Sequence, residues 1–176
     1  MTELIEQLRK TIRDIPDFPK AGIIFKDITP VLKSPALFRK VIETFRKRYK
    51  DKGIKAIVAI ESRGFIFGGA LAERMGVPFI PVRKKGKLPY KTVTATYELE
   101  YGTDSVQMHS DALKPGDKVV VLDDLVATGG TAEAAARLCE QLGAEVVELA
   151  FVIELAFLNP RKKLSRYSVF SMVTFD

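Results

Sequence analysis

Residues 119–131 read VVVLDDLVATGGT, an order that places two adjacent carboxylates, Asp123 and Asp124, between an apolar run and a small, hydroxyl-rich loop. Residues 119–122 have the length and β-branched character of a strand buried on both faces. Thr128-Gly129-Gly130-Thr131 then leads into the helical stretch 132–142. N–H groups at a helix start lack intrahelical partners and lie at the positive end of the helix dipole. The loop therefore suits a phosphate, and Gly129 and Gly130 let the backbone come close to it. The two carboxylates cannot serve that phosphate themselves. Beside a bound anion they suit ribose hydroxyls, or a divalent metal that offsets their repulsion. A phosphoribosyl group presents both needs.

Two commoner nucleotide loops are excluded. No lysine follows Gly129-Gly130, so there is no GxxxxGK[ST] phosphate loop, and GxGxxG occurs nowhere in the chain. The bland reading, that the acidic pair ends a strand and caps a turn, leaves the ATGGT loop and the helix after it unexplained.

Other residues could carry chemistry. Arg63, in Glu61-Ser62-Arg63-Gly64 after an apolar run, could present its guanidinium fork to a diphosphate, against a bland role as a surface ion pair. Arg83-Lys84-Lys85-Gly86-Lys87 is too dense in charge to order without anions, and Gly86 with Pro89 marks a loop able to move. Within YELEYG, Glu98 and Glu100 are equal candidates for a general acid or base, since either carboxyl would rise in pKa in a closed, dry site. Residues 18–32 read as an ordered loop fixed by prolines, in which Phe25 could stack on a flat ring or, with Ile23 and Ile24, simply join the core. The single histidine, His109, has no metal-ligand spacing around it and reads as structural.

The elements that must position these groups follow from periodicity. Leu4, Ile5, Leu8, Ile12 and Ile15 predict a first helix that ends before Pro16. Ser34 and Pro35 open a second, whose apolar stripe is Phe38, Val41, Ile42, Phe45 and Tyr49 and which stops near Gly53. Residues 54–60 and 77–82 read as strands around a helix over 65–75 stopped by Gly76. Residues 92–98 and 104–108 read as an antiparallel excursion turning at 101–103, and strands follow at 119–122, 145–153 and 167–175. This alternation predicts an α/β fold, a mostly parallel sheet with helices on both faces and its ligands at the carboxyl ends of the strands.

Composition narrows the class. A chain of 176 residues suits one domain that buries roughly 70% of its unfolded surface. The only cysteine, Cys139, lies on an amphipathic helix and reads as core filler in a reducing compartment. No basic leader and no membrane-length apolar run is present, so a cytoplasmic location is expected. The net charge of +6 could attract nucleic acid or a small polyanion. Its basic residues concentrate at 39–55, read as a solvated helix face, at 83–91 and at 161–166.

VVVLDDLVATGGT resembles the phosphoribosyl pyrophosphate signature of the type I phosphoribosyltransferases, and FPKAGIIFKDITPVL, ESRGF, RKKGKLP and YELEYG resemble their adenine phosphoribosyltransferase branch. The likeness runs over residues 18–155 with the motifs in the family order. It implies a single type I phosphoribosyltransferase domain over 1–176, with a twisted sheet, a base-binding segment at 1–33 and a flexible lid at 83–110. The implied reaction joins adenine and phosphoribosyl pyrophosphate into AMP and pyrophosphate with Mg²⁺, in a homodimer with no nucleic-acid partner.

By the same resemblance Asp123 and Asp124 meet the ribose hydroxyls, or the metal through substrate or water, and Ala127, Thr128, Gly129, Gly130 and Thr131 hold the 5′-phosphate. Ser62 and Arg63 meet pyrophosphate across a non-proline cis peptide, joined by Arg83, Lys84 and Lys87 from the lid. Tyr101 takes part in closure, Glu100 is the acid/base, and Ile24, Phe25 and Lys26 lie at the adenine. Glu100, Arg63, Asp123 and Asp124 form the implied catalytic set. Two rival readings share the anion site: a transferase for hypoxanthine, guanine or xanthine, and a phosphoribosyl pyrophosphate sensor that binds nucleic acid.

Overall fold

The structure, a computed structural model, describes residues 2–98 and 102–176. The chain divides into two compact units, Met1–Phe45 and Arg46–Asp176.

In the first unit, helix α1 spans Thr2–Thr11 and buries Leu8. The predicted continuation of this helix to Ile15 is not observed. Arg13–Pro16 is instead a strand, β1, paired antiparallel with β2, Ile24–Asp27, in the register Ile15↔Phe25. Residues 18–32, expected as a loop, thus contain β2 and a one-turn helix, α2, over Thr29–Leu32. Asp27 anchors the start of α2, its carboxylate accepting both the Thr29 N–H at 2.9 Å and the Thr29 hydroxyl at 2.8 Å. Helix α3, Pro35–Tyr49, opens as Ser34 and Pro35 predict, the Leu37 N–H lying 3.4 Å from Ser34 Oγ. Val41, Ile42, Phe45 and Tyr49 of its apolar stripe are buried.

The second unit is built on a seven-stranded sheet. Its strands are β3 (Ala56–Ile60), β4 (Phe79–Lys84), β5 (Thr92–Glu98), β6 (Thr103–His109), β7 (Lys118–Val126), β8 (Glu145–Leu155) and β9 (Val169–Phe175). They lie in the order β5-β6-β4-β3-β7-β8-β9. From β4 to β9 every pairing is parallel, and β5 and β6 form the predicted antiparallel excursion, joined to β4 at Arg83↔Gln107 and Lys84↔Val106. Helix α4, Gly64–Met75, packs on β3 and β7 and ends at Gly76 in the left-handed conformation. Helix α5, Gly130–Gln141, packs on β5 to β8. Two short helical turns, Ala156–Leu158 and α6 (Pro160–Lys163), were not anticipated.

Every residue of β3 is buried, as an uninterrupted apolar run requires when helices cover both faces. Val58, Ile60, Val119 and Val121 join Ala134, Ala135, Leu138 and Phe151 in the main core. Cys139 belongs to it too; burial pushes its thiol up to about 12, consistent with core filler. No helix among the described residues is long and apolar enough to cross a membrane.

Candidate functional site

Strand β3 leads through α4 to β4 on one side of it, whereas its other neighbour, β7, leads through α5 away to β8. Diverging connections leave a crevice at the carboxyl ends of β3 and β7, where open α/β sheets bind ligands. Glu61, Ser62 and Arg63 follow β3 there, with a cis peptide between Glu61 and Ser62, the non-proline cis bond that the resemblance implies.

Strand β7 was expected to stop before the acidic pair, yet it runs on to Val126, so Asp123 and Asp124 are strand residues. Carboxylates hold this extended position because their oxygens are engaged. Arg63 Nε donates to Asp124 Oδ2 at 2.5 Å, and the Asp124 N–H donates to Asp123 Oδ1 at 2.8 Å. The Asp124 side chain is only 5% exposed, its Arg63 partner 41%. Around Asp123, burial first and repulsion from Asp124 second push the carboxyl well above the usual range.

Gly64 makes room for this pair. A Cβ there would lie 2.7 Å from Asp123 Oδ1 and 3.1 Å from the Leu122 carbonyl, so a side chain must displace the acid. Gly69, on the same helix, has nothing within 4 Å of an added Cβ. We therefore expect Gly64→Ala to cost about 1–3 kcal/mol of unfolding free energy, the usual penalty of overpacking, and Gly69→Ala to cost nothing. Thermal unfolding of the two variants checks this; equal midpoints would refute the close approach.

After β7 the chain turns at Ala127, Thr128 and Gly129 and enters α5 at Gly130, two residues before the predicted start. Gly129 has φ +90°, and a Cβ on it would meet Leu164 at 3.1 Å and the Pro160 carbonyl at 3.3 Å. Both conformation and space demand glycine. A cavity of about 120 Å³ opens here, lined by Asp123 and Phe151 and by Ala127, Thr128, Gly129, Gly130 and Thr131. All five residues expected at a phosphate thus face one cavity at a helix N-terminus, with one acid of the pair at its rim.

The basic run is less loop-like than expected, for Arg83 and Lys84 belong to β4. The anions that order it come from the protein. Glu61, its side chain 8% exposed, accepts from Arg83 Nε at 3.1 Å and from the Lys84 N–H at 2.7 Å, with Lys87 Nζ 3.2 Å from Oε1. Burial alone would raise the Glu61 carboxyl; the bonds from Lys84, Lys87 and Arg83 outweigh it and hold the group below its ordinary value. Lys84 Nζ reaches Asp104 Oδ2 at 3.0 Å.

The two other basic runs also find acids. Arg48, in the run expected to be a solvated helix face, donates to both Glu148 oxygens, and Arg161 does the same to Glu154. His109 packs its ring edge against Tyr90, and no metal-holding cluster of His, Cys, Asp or Glu occurs among the described residues.

In the first unit Ile24, Phe25 and Lys26 lie on β2. Ile23 and Ile24 are 38% and 54% exposed, so the segment is not ordinary core. Phe25 meets Phe18 edge to face at 5.2 Å, and Lys26 Nζ donates to Asp14 Oδ1 at 2.7 Å. Glu100 and Tyr101 lie outside the described residues; Glu98, the other acid of that motif, is exposed at the end of β5.

Three site residues escaped the sequence reading: Glu61, Gly64 and Phe151. Glu61 and Gly64 stand inside ESRG, but only the arginine announces chemistry there. A lone acid at a strand end, with a basic run closing the next strand, is the signal that would have found Glu61.

The geometry has a family. A model of the phosphoribosyl transferase domain matches residues 27–175. An adenine phosphoribosyltransferase of Thermosipho melanesiensis is 54% identical, over 96% of this chain and 97% of its own. The crystal structure of the Thermoanaerobacter pseudethanolicus adenine phosphoribosyltransferase superposes with a TM-score of 0.94 at 52% identity, covering 97% of this chain and 99% of that one. The Saccharomyces cerevisiae enzyme, solved with adenine and an imino-altritol bisphosphate, gives 0.93 at 43% identity, over 98% of this chain and 99% of its own. The chain belongs to the phosphoribosyltransferases and, with such identity along almost all its length, to their adenine phosphoribosyltransferase branch.

Proposed function

We propose that this protein transfers the 5-phosphoribosyl group of phosphoribosyl pyrophosphate to adenine, releasing pyrophosphate and forming AMP. The observation that carries the reading is the acid pair of β7, Asp124 buried and Asp123 half-buried, running straight into a glycine-capped cavity at the start of α5. The names and near-complete coverage of the relatives choose the base.

Replacement of pyrophosphate at the anomeric carbon develops positive charge on the ribose and negative charge on the leaving group. Asp124, with Asp123 beside it, accepts from the ribose hydroxyls and faces the developing positive charge. Ala127, Thr128, Gly129, Gly130 and Thr131 hold the 5′-phosphate through backbone N–H groups and hydroxyls. Arg63, with Ser62, Arg83, Lys84 and Lys87, takes the diphosphate. Residues 83–110 act as the lid, and closure with Tyr101 excludes the water that would otherwise capture the ribosyl cation. Glu100 manages the purine proton, while Ile24, Phe25 and Lys26 meet adenine at its edge and face.

The donors at this site suit Mg²⁺ carried by the substrate rather than held in a protein cage. Two adjacent carboxylates, one already paired with Arg63, match an ion that keeps its waters and substrate oxygens. Bound with the donor, Mg²⁺ would neutralise the leaving diphosphate. Asp123 and Asp124 would hold its shell through water or the ribose.

We read the chain as one phosphoribosyltransferase domain, cytoplasmic and homodimeric. Incubating the protein with Mg²⁺, phosphoribosyl pyrophosphate and each nucleobase in turn, then identifying the nucleotide by mass, tests the function. AMP from adenine is expected as the main product. IMP, GMP or XMP in its place would move the protein to another purine, and salt-sensitive nucleic-acid binding without any product would make it a sensor.

A further inference from the structure

Two of the diphosphate-facing cations already share an anion supplied by the protein. Arg83 and Lys87 converge on one carboxylate, Glu61, which also accepts the Lys84 N–H. The arrangement reproduces in miniature what a diphosphate would offer them: oxygens in one place, negatively charged and within hydrogen-bond reach of both side chains. Glu61 is held for this task from several directions. Its N–H donates to the Val82 carbonyl at 2.9 Å, and β3 and β4 pair through Ile60↔Val82, so the acid stands beside the end of the strand that carries Arg83 and Lys84. Arg83 is fixed further by donating to the Lys87 carbonyl at 3.1 Å, and the turn is pinned by Gly86 N–H donating to Gln107 Oε1 at 2.8 Å.

We propose that Glu61 is a positioning residue that stands in for diphosphate: in the empty site it gathers Arg83 and Lys87 and competes with the incoming ligand for them. The inference rests on the reading that these two cations take the diphosphate. Competition has two consequences of one sign. The ligand must displace an internal anion to reach the cations, and the displaced carboxylate remains near a highly charged guest, which eases its departure. Its depressed carboxyl keeps the competitor ionised throughout the neutral range. A residue that only braced the turn would do neither, and its loss would weaken binding by letting the turn loosen.

Titration calorimetry of inorganic pyrophosphate with Mg²⁺ into the full-length protein separates the two. Glu61→Gln keeps the size and an acceptor for the Lys84 N–H while removing the charge. It is expected to bind pyrophosphate about tenfold more tightly, the worth of one charge-assisted hydrogen bond. The KM for the donor should fall with it while kcat does not rise. Glu61→Asp, whose shorter arm loosens the hold on Arg83 and Lys87, should tighten binding by a smaller factor. Should the Gln variant fail to fold, as its thermal unfolding would report, the Asp variant decides alone. Pyrophosphate bound no more tightly than by the wild type, in whichever variant folds, overturns the proposal. If AMP forms and affinity is unchanged, only this inference falls. If no nucleotide forms but pyrophosphate binds more tightly to the variants, the catalytic reading falls and the competing carboxylate stands.

Discussion

Asp124→Asn is expected to lower kcat/KM for AMP synthesis by about 100- to 1000-fold, the range seen when one preorganised electrostatic group is removed from a closed site. The side chain is 5% exposed and lies at the crevice end of β7, so its charge acts through little intervening water. Asparagine occupies the same volume and still accepts a hydrogen bond, so the ribose can bind; what disappears is the charge opposite the developing positive ribose. Folding should hardly change. The partner, Arg63, is 41% exposed and can turn to water, so the lost ion pair should cost no more than about 1 kcal/mol. Steady-state kinetics alongside chemical unfolding would show this division. Wild-type turnover in the variant would remove Asp124 from the reaction.

The parts of this site that could be read from sequence are those whose chemistry is local. Ala127 to Thr131 announce themselves through glycine and hydroxyl content at a helix start, and they line one cavity. The buried strands β3 and β7 show themselves as apolar runs. Where long-range contacts decide the outcome, the local pattern misleads. Ile12 and Ile15 continue the helical spacing of α1, yet pairing Ile15 with Phe25 makes Arg13–Pro16 a strand. Asp123 and Asp124 look like a strand end because unsatisfied carboxylates do not persist in a sheet. Arg63, from the far side of a crossover, supplies the missing partner. Glu61 gains its meaning only from the β3–β4 register, which sets it beside Arg83. No spacing rule carries that information.

Glu148 illustrates the same limit and leads to the largest effect on stability. It interrupts the apolar run of β8 and is 2% exposed. Arg48 donates to both its oxygens, at 2.5 and 2.8 Å, Tyr49 Oη donates at 2.7 Å and Ser168 Oγ at 2.9 Å. The Arg48 guanidinium also lies 4.0 Å over the Phe170 ring, so one acid ties Arg48 and Tyr49 to β8 and β9. Burial by itself would raise the Glu148 carboxyl, but the bonds from Arg48, Tyr49 and Ser168 prevail and bring it down to about 2, from an ordinary 4.5. A carboxyl depressed on folding adds stability that is complete above the unfolded value and disappears as pH falls through the folded one. Glu148 should therefore contribute roughly 3 kcal/mol at neutral pH, lost between pH 4.5 and about 2. Glu148→Ala removes the acceptor that the buried Tyr49 hydroxyl and the Arg48 guanidinium share, at an expected cost of about 3–5 kcal/mol. Glu148→Gln, which still accepts from Tyr49 but lacks the charge, should cost about 3 kcal/mol at neutral pH. Urea unfolding of the wild type and Gln variant from pH 7 to pH 2 isolates the charge: the gap between them must narrow as acid is added. A gap that stayed constant with pH would show that the carboxylate's ionisation contributes nothing to holding Arg48 and Tyr49.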